Sequence, residues 1–289
     1  MVDVDKLMPT NDVLFKVVLG DQGKTDCLID FLNSVLTPED PIVSVQILNP
    51  ELTQEHVLVK GARLDIRATT SNDEVVNIEC QASADPDFLV RLLRYWALNF
   101  TRQIRQGDEY ALTKRTISIA VLTFNLPGCD KRYKMMAGLC DLETHRRWTD
   151  LMELCVLQLP NLKHVDDSDK TTYWMQFFKD PYSKEAQEVY AKVPAIKEAM
   201  DMFEKAKASD EVLELIRLRE EAQNEVASRV AEGEKRGEKI GADRERAKAD
   251  AEKRESAVKL FKMGLSVEQV AEALSLSVEE INEIKKKIQ

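Results

Sequence analysis

The chain has 289 residues, with 51 acidic against 41 basic side chains, a formal net charge of −10 and a sequence pI near 5.1. With 44% hydrophobic residues it can bury at least one real core, which excludes a wholly disordered chain. The longest apolar runs fall far short of a bilayer span, and the acidic total argues against a surface that coats nucleic acid through bulk positive charge. The opening residues, MVDVDKLMPTNDVLFK, lack the basic and apolar regions of a secretory leader. The five cysteines are odd in number and contain no CxxC pair, and there are only three histidines. No clustered zinc ligand set follows from them, and the expectation is reduced, buried thiols in a cytoplasmic protein without membrane association.

In chain order, residues 1–160 read as a mixed α/β domain. Asp12 opens a helical stretch, and residues 26–36 (DCLIDFLNSVL) carry helical apolar spacing at Leu28, Phe31, Leu32 and Val35, stopped by Pro38 and Pro41. Residues 42–48 form a short β-branched run. Residues 56–68 (HVLVKGARLDIRA) and 74–81 (EVVNIECQ) alternate apolar and polar positions, with Ser71, Asn72 and Asp73 as a hairpin turn between them. A long helix fits residues 88–106, with Leu89, Leu92, Leu93, Trp96 and Phe100 on its apolar stripe and Gly107 at its end. Residues 115–124 (RTISIAVLTF) read as a buried strand, and 151–159 as another, ended by Pro160.

The rest reads as helix. Residues 161–218 form a helical extension, with helices expected over 171–179 and 184–207. Residues 219–255 hold 10 basic and 11 acidic side chains in 37 positions and no aromatic residue, so they cannot build a core of their own. Gly233, Gly237 and Gly241 share one helical face, which in this charged setting reads as a solvated helix or linker rather than a tight helix pair. Residues 256–289 regain amphipathic order. Gly264 closes one helix, Ser266 with Gln269 can cap a second, and Ser277 with Glu280 a third, making a small helix-turn-helix-like unit.

The chemistry concentrates at Asp65 and at Glu79-Cys80-Gln81. A strand places Glu79 and Gln81 on one face and Cys80 on the other, and a hairpin can bring Asp65 beside that pair. Two carboxylates with a neighbouring backbone carbonyl make a hard, oxygen-rich site suited to Mg²⁺. By spacing alone this pattern is also that of ordinary acidic residues on a solvated hairpin face.

The ordered set NDVLFK, DFLNSVL, ILNPE, LDIRA, NIECQ, the Arg91-to-Tyr95 helix, QIRQGDEY and ISIAVLTF resembles the recombination-promoting nuclease and transposase family, a branch of the PD-(D/E)XK superfamily. The resemblance covers roughly residues 8–160. It implies a restriction-endonuclease-like α/β core, a mixed sheet flanked by helices, followed here by an extended all-α C-terminal region. It further implies Mg²⁺-dependent DNA endonuclease activity, with Mn²⁺ as a substitute, in DNA recombination, mobile-element or defence processes. Carried over by residue, Asp65 looks like the first metal-binding Asp, Glu79 like the (D/E) of the motif, and Cys80 would offer its backbone carbonyl to the metal. Gln81 stands where the wider superfamily usually has Lys and resembles the Gln form of this branch. Gln can orient water or phosphate by hydrogen bonds but supplies no charge.

Arg91, one turn before Tyr95, is the candidate for that missing cation, with an ordinary surface arginine as the alternative. Asp12, Glu51 and Tyr95 are additional candidates, although Asp12 also reads simply as a helix-start residue. Lys16, Lys60, Arg63 and Arg67 supply positive charge nearby. The competing function is a catalytically decayed DNA-binding protein, or a helical oligomerisation protein acting through residues 184–288. Under each reading a homodimer is expected, with the C-terminal helices as its mediator.

Overall fold

The computed structural model describes residues 2–49 and 65–288. The expected strand positions 56–64, together with Glu51, Lys60 and Arg63, lie outside the described residues. By contacts the chain divides into two compact units, Met1–Gln223 and Asn224–Gln289.

The first unit opens with α1 (Asp12–Leu19) and α2 (Asp26–Leu36). Asn11 caps α1, its side chain accepting from the backbone N–H groups of Val13 and Leu14, two of the donors a helix start leaves unbonded. Then come β1 (Val45–Ile47), β2 (Ile66–Thr70), β3 (Val75–Gln81), α3 (Phe88–Thr101), β4 (Thr116–Leu122), β5 (Lys134–Gly138) and β6 (Met152–Gln158). Helices α4 (Thr171–Lys179), α5 (Lys184–Lys192) and α6 (Pro194–Lys207) follow, and α7 spans Asp210–Lys262. Among the described residues the strands form one six-stranded sheet in the order β1-β2-β3-β4-β6-β5. The β3–β4 and β4–β6 pairs are parallel and the remaining pairs antiparallel. This is the mixed sheet flanked by helices that the sequence leads one to expect.

Strand alternation gives the sheet two faces. One face carries Ile66, Ala68, Val76, Ile78, Ile117, Ile119, Val121, Cys155 and Leu157, buried in a single cluster with residues of α1, α2, α4 and α6. Trp174 is fully buried there, in edge contact with Phe31 at 5.6 Å between ring centres, and its Nε1–H donates to Asp30 at 2.7 Å. Full burial of each such large side chain contributes on the order of 1.5–3 kcal/mol. The other face carries Ala120, Leu122, Leu154 and Val156, covered by Phe88 and Leu92 of α3 and by Leu126. Residues 161–218, marked off in the sequence as an extension, thus pack largely into the same core as the sheet.

Several elements differ from expectation. The helix expected over 184–207 breaks at Val193, which is extended (φ −123°, ψ 101°) because the following Pro194 disfavours helical geometry before it and has no N–H to bond backward. Helix α3 ends at Thr101 rather than near Gln106. Beyond it the Gln103 side chain turns to β4, donating to Thr116 Oγ1 at 2.7 Å and accepting from Lys114 N at 2.8 Å. Strand β5 carries no strand signal of its own in KMMAG and exists by pairing with β6.

Residues 219–255, of which 224–255 belong to the second unit, form part of one helix, α7. Nothing lies within 4 Å of a Cβ built on Gly233, Gly237 or Gly241, in agreement with a solvated helix face. Gly264 follows α7 at φ +88°. Ser266 and Gln269 form a full capping box on α8 (Val267–Leu274), and Ser277 with Glu280 makes the same pair of bonds on α9 (Val278–Ile288). Ala257, Val270, Ala271 and Ile281 make its small core.

Candidate active site

The β2–β3 hairpin organises the site. Its turn contains Asp73 at φ +62°, a left-handed position that Asp tolerates better than most residues. The antiparallel register pairs Arg67 with Asn77 and Ile66 with Ile78, so the next positions outward, Asp65 and Glu79, stand opposite each other. Directly opposed side chains on one face have Cβ atoms about 4.5–5.5 Å apart. Gln81 shares that face two positions further along β3. Asp65, Glu79 and Gln81 are therefore brought together at the end of β3. Glu79 is only 3% exposed, whereas Asp65 is half-buried at the rim.

Cys80 points to the opposite face, where its Sγ–H donates to the Thr10 carbonyl at 3.4 Å. Burial, with Asp12 and Glu79 adding to it, pushes its thiol well above the usual range. Its carbonyl faces the other way from those of its neighbours. Val75 N bonds Arg115 O and Gln81 O accepts from Thr123 N, so odd-numbered residues of β3 bond toward β4. Alternation turns the Cys80 C=O toward β2, the side that bears Asp65.

Local contacts hold Asp65 in place. Asn49 donates from Nδ2 to the Asp65 carbonyl at 2.9 Å and accepts from Arg67 N at 2.7 Å, so one side-chain amide substitutes for a strand partner. Lys16 of α1, only 5% exposed, donates from Nζ to the same carbonyl at 3.5 Å. Burial holds the Lys16 ammonium below its usual range, against the opposing pull of Asp65. Asn49 stands in the ILNPE string, but its role cannot be read from sequence because its partners are 16 and 18 positions away.

Arg91 and Gln81 meet directly. Arg91 Nη2 donates to Gln81 Oε1 at 3.0 Å, while the Gln81 amide nitrogen donates to Ser83 O at 3.1 Å. The guanidinium also pairs with Asp85 and lies over the Phe88 ring, 5.2 Å from its centre. Sequence reasoning missed Asp85, although a carboxylate six positions before an arginine at a helix start was the available signal. Tyr95 follows one turn on, half-buried. Asp12 takes a different place: its carboxylate accepts from Arg219 Nε at 2.7 Å and Gln223 Nε2 at 3.3 Å, both on α7. At the first position of α1 it also lies favourably near the positive end of the helix dipole. Arg67 is on the site's face of the sheet, and burial followed by the nearby Arg102 guanidinium lowers its pKa.

Among the described residues no group of three or more His, Cys, Asp or Glu side chains is placed to hold a metal ion. The donor set here is two facing carboxylates and a carbonyl, a set that suits a hard cation that keeps part of its water shell. Among the described residues no helix is long and apolar enough to cross a membrane.

The model of one protein family, the PD-(D/E)XK nuclease family transposases, matches residues 9–233, which takes in the sheet, both helical layers and the first part of α7. No curated protein and no solved structure gives a significant match. With more than three-quarters of its length matched, the chain belongs to the PD-(D/E)XK nuclease family transposases.

Proposed function

We propose that this protein is a Mg²⁺-dependent DNA endonuclease that hydrolyses phosphodiester bonds in recombination, mobile-element or defence processes, with Mn²⁺ as a working substitute. The observation that supports the reading is the β2–β3 register, whose next step beyond Ile66 and Ile78 sets Asp65 opposite Glu79, beside a Gln81–Arg91 hydrogen bond. Asp65, Glu79 and the Cys80 carbonyl would hold the metal. When bound, Mg²⁺ acidifies a water and offsets the charge that builds on the phosphate during in-line attack.

The chain's own groups do the remaining work. Gln81 can orient the attacking water through its amide but adds no charge. Arg91 supplies the cation beside it and can donate two parallel bonds to a phosphate. Asp85 fixes the direction of that guanidinium, so that positioning is prepaid before the substrate arrives. Lys16 and Asn49 hold the Asp65 backbone and so set the carboxylate separation. The attacking water forms the new O–P bond, and the ester P–O bond on the far side breaks.

Supercoiled plasmid DNA incubated with the full chain tests the reading. Nicked or linear product should appear with Mg²⁺ and vanish with EDTA. Asp65→Ala and Glu79→Ala should each slow cutting on the order of 10²-fold or more. Equal cutting by the parent and both variants, at equal folded concentration, would reject the assignment. The same reading expects a homodimer through the C-terminal helices, so that two single-strand cutters face one duplex. Light scattering of the full chain against residues 1–223, the first compact unit, checks it.

A further inference from the structure

Two residues along the sheet from Asp65 and Glu79, on the same face, the register sets Arg67, Asn77 and Ser118 side by side across β2, β3 and β4. Asn77 and Ser118 are fully buried, and four polar atoms of this row make no hydrogen bond among the described residues: Arg67 Nε, both amide atoms of Asn77, and Ser118 Oγ. Buried polar groups left unbonded are rare, so four adjacent ones call for a reason. Arg67 forms no ion pair among the described residues, nor does the exposed Arg102 at the end of α3. Gln103, next in the chain to Arg102, bonds Thr116, the residue two before Ser118 on the same strand face. Two cations with no ion pair among the described residues therefore flank a row of unbonded donors and acceptors.

We propose that Arg67 and Arg102 form a subsite for a DNA backbone phosphate next to the one that is cut. Two residues of strand span about 7 Å, a step of the size between neighbouring phosphates on one DNA strand. The terminal nitrogens of Arg67 and the Arg102 guanidinium clasp the phosphate. Beneath them, Asn77 Oδ1 and Ser118 Oγ accept from the Arg67 Nε–H once the fork is drawn outward. The subsite sets the register of the DNA strand over Asp65 and Glu79, and so rests on the nuclease reading. It carries no base preference, because phosphate contacts position without reading sequence.

The test measures binding without cleavage. A fluorescent duplex and a fluorescent single strand are titrated with the full chain in EDTA, by anisotropy, over a series of salt concentrations. The variants Arg67→Gln and Arg102→Gln should each weaken Kd about tenfold, equally for unrelated sequences, and each should lower the salt slope by about 1. The double variant should lose little more than either single one, since both contact one phosphate. Arg67→Lys should keep the parent's slope. Unchanged Kd and slope in both glutamine variants would overturn the subsite. If Arg67→Gln fails to fold by near-ultraviolet circular dichroism, the exposed Arg102→Gln decides alone. Failure of the nuclease reading shows instead in the plasmid assay, where Asp65→Ala and Glu79→Ala would cut as the parent does while the anisotropy result stands.

Discussion

Arg115 sits just before β4 and ties together the starts of three parallel strands. It bonds Glu74, before β3, at 2.8 Å and also pairs with Glu153 of β6, which Arg147 holds too at 2.8 Å. Glu74 and Glu153 are 8% and 5% exposed. Replacing Arg115 by Met keeps the stem but leaves Glu74 as a buried charge without its cation. Breaking a buried pair in this way costs roughly 3–5 kcal/mol. Here the guanidinium is partly open to water, its side chain 28% exposed, and Glu153 keeps Arg147, which brings the expected loss down to about 2–3 kcal/mol. For a unit of this size that corresponds to a fall in Tm of roughly 5–10 °C. Urea unfolding followed by tryptophan fluorescence measures it cleanly, because Trp96, Trp148 and Trp174 all lie in the first compact unit. The double variant Arg115→Met with Glu74→Gln should recover part of the loss. A loss below about 0.5 kcal/mol in the single variant, with no coupling in the double, would refute the reasoning.

Three further outcomes follow from the same structure. Changing Gly233, Gly237 and Gly241 together to Ala should raise far-ultraviolet helicity and gain about 0.5–1 kcal/mol per site, since nothing occupies the space a Cβ needs; a drop in helicity or stability would mean that a partner packs on that face. Ser266→Ala removes the hydroxyl that accepts from Gln269 N–H, leaving the backbone N–H of residue 266 to donate to the Gln269 side chain, and should cost about 1 kcal/mol, seen as faster amide exchange at Gln269 and Val270; unchanged exchange would contradict the cap's role. Among the five thiols, only the exposed Cys129 and Cys140 should alkylate quickly at pH 8. Burial pushes Cys27 and Cys155 up to about 12 and Cys80 higher, so at pH 8 these three remain protonated and slow. Rapid labelling of all five in the folded chain would show the burial to be wrong.

The hairpin was legible because its signals are local. Alternation in LDIRA and NIECQ sets the faces, Ser71 to Asp73 set the turn, and together they dictate that Asp65 lies near Glu79. The C-terminal caps at Ser266 and Ser277 are equally local and were readable for the same reason. Strand β5 was not legible, since its KMMAG residues gain their extended form only from β6. Nor was the Arg115 network, whose partners are 41 and 38 positions away in sequence. The place of Asp12 escaped as well, because its partner Arg219 is 207 positions distant. The break before Pro194 is a different case: the proline was visible, but the apolar spacing on both sides of it read as one helix.

Asp65 and Glu79 are proposed to form one divalent-metal site. Calorimetric titration of Mn²⁺ into the full chain addresses it without relying on cleavage. A saturable site should appear in the parent and be lost in both Asp65→Ala and Glu79→Ala, with the variants folded by circular dichroism. A parent isotherm that survives unchanged in both variants would contradict it.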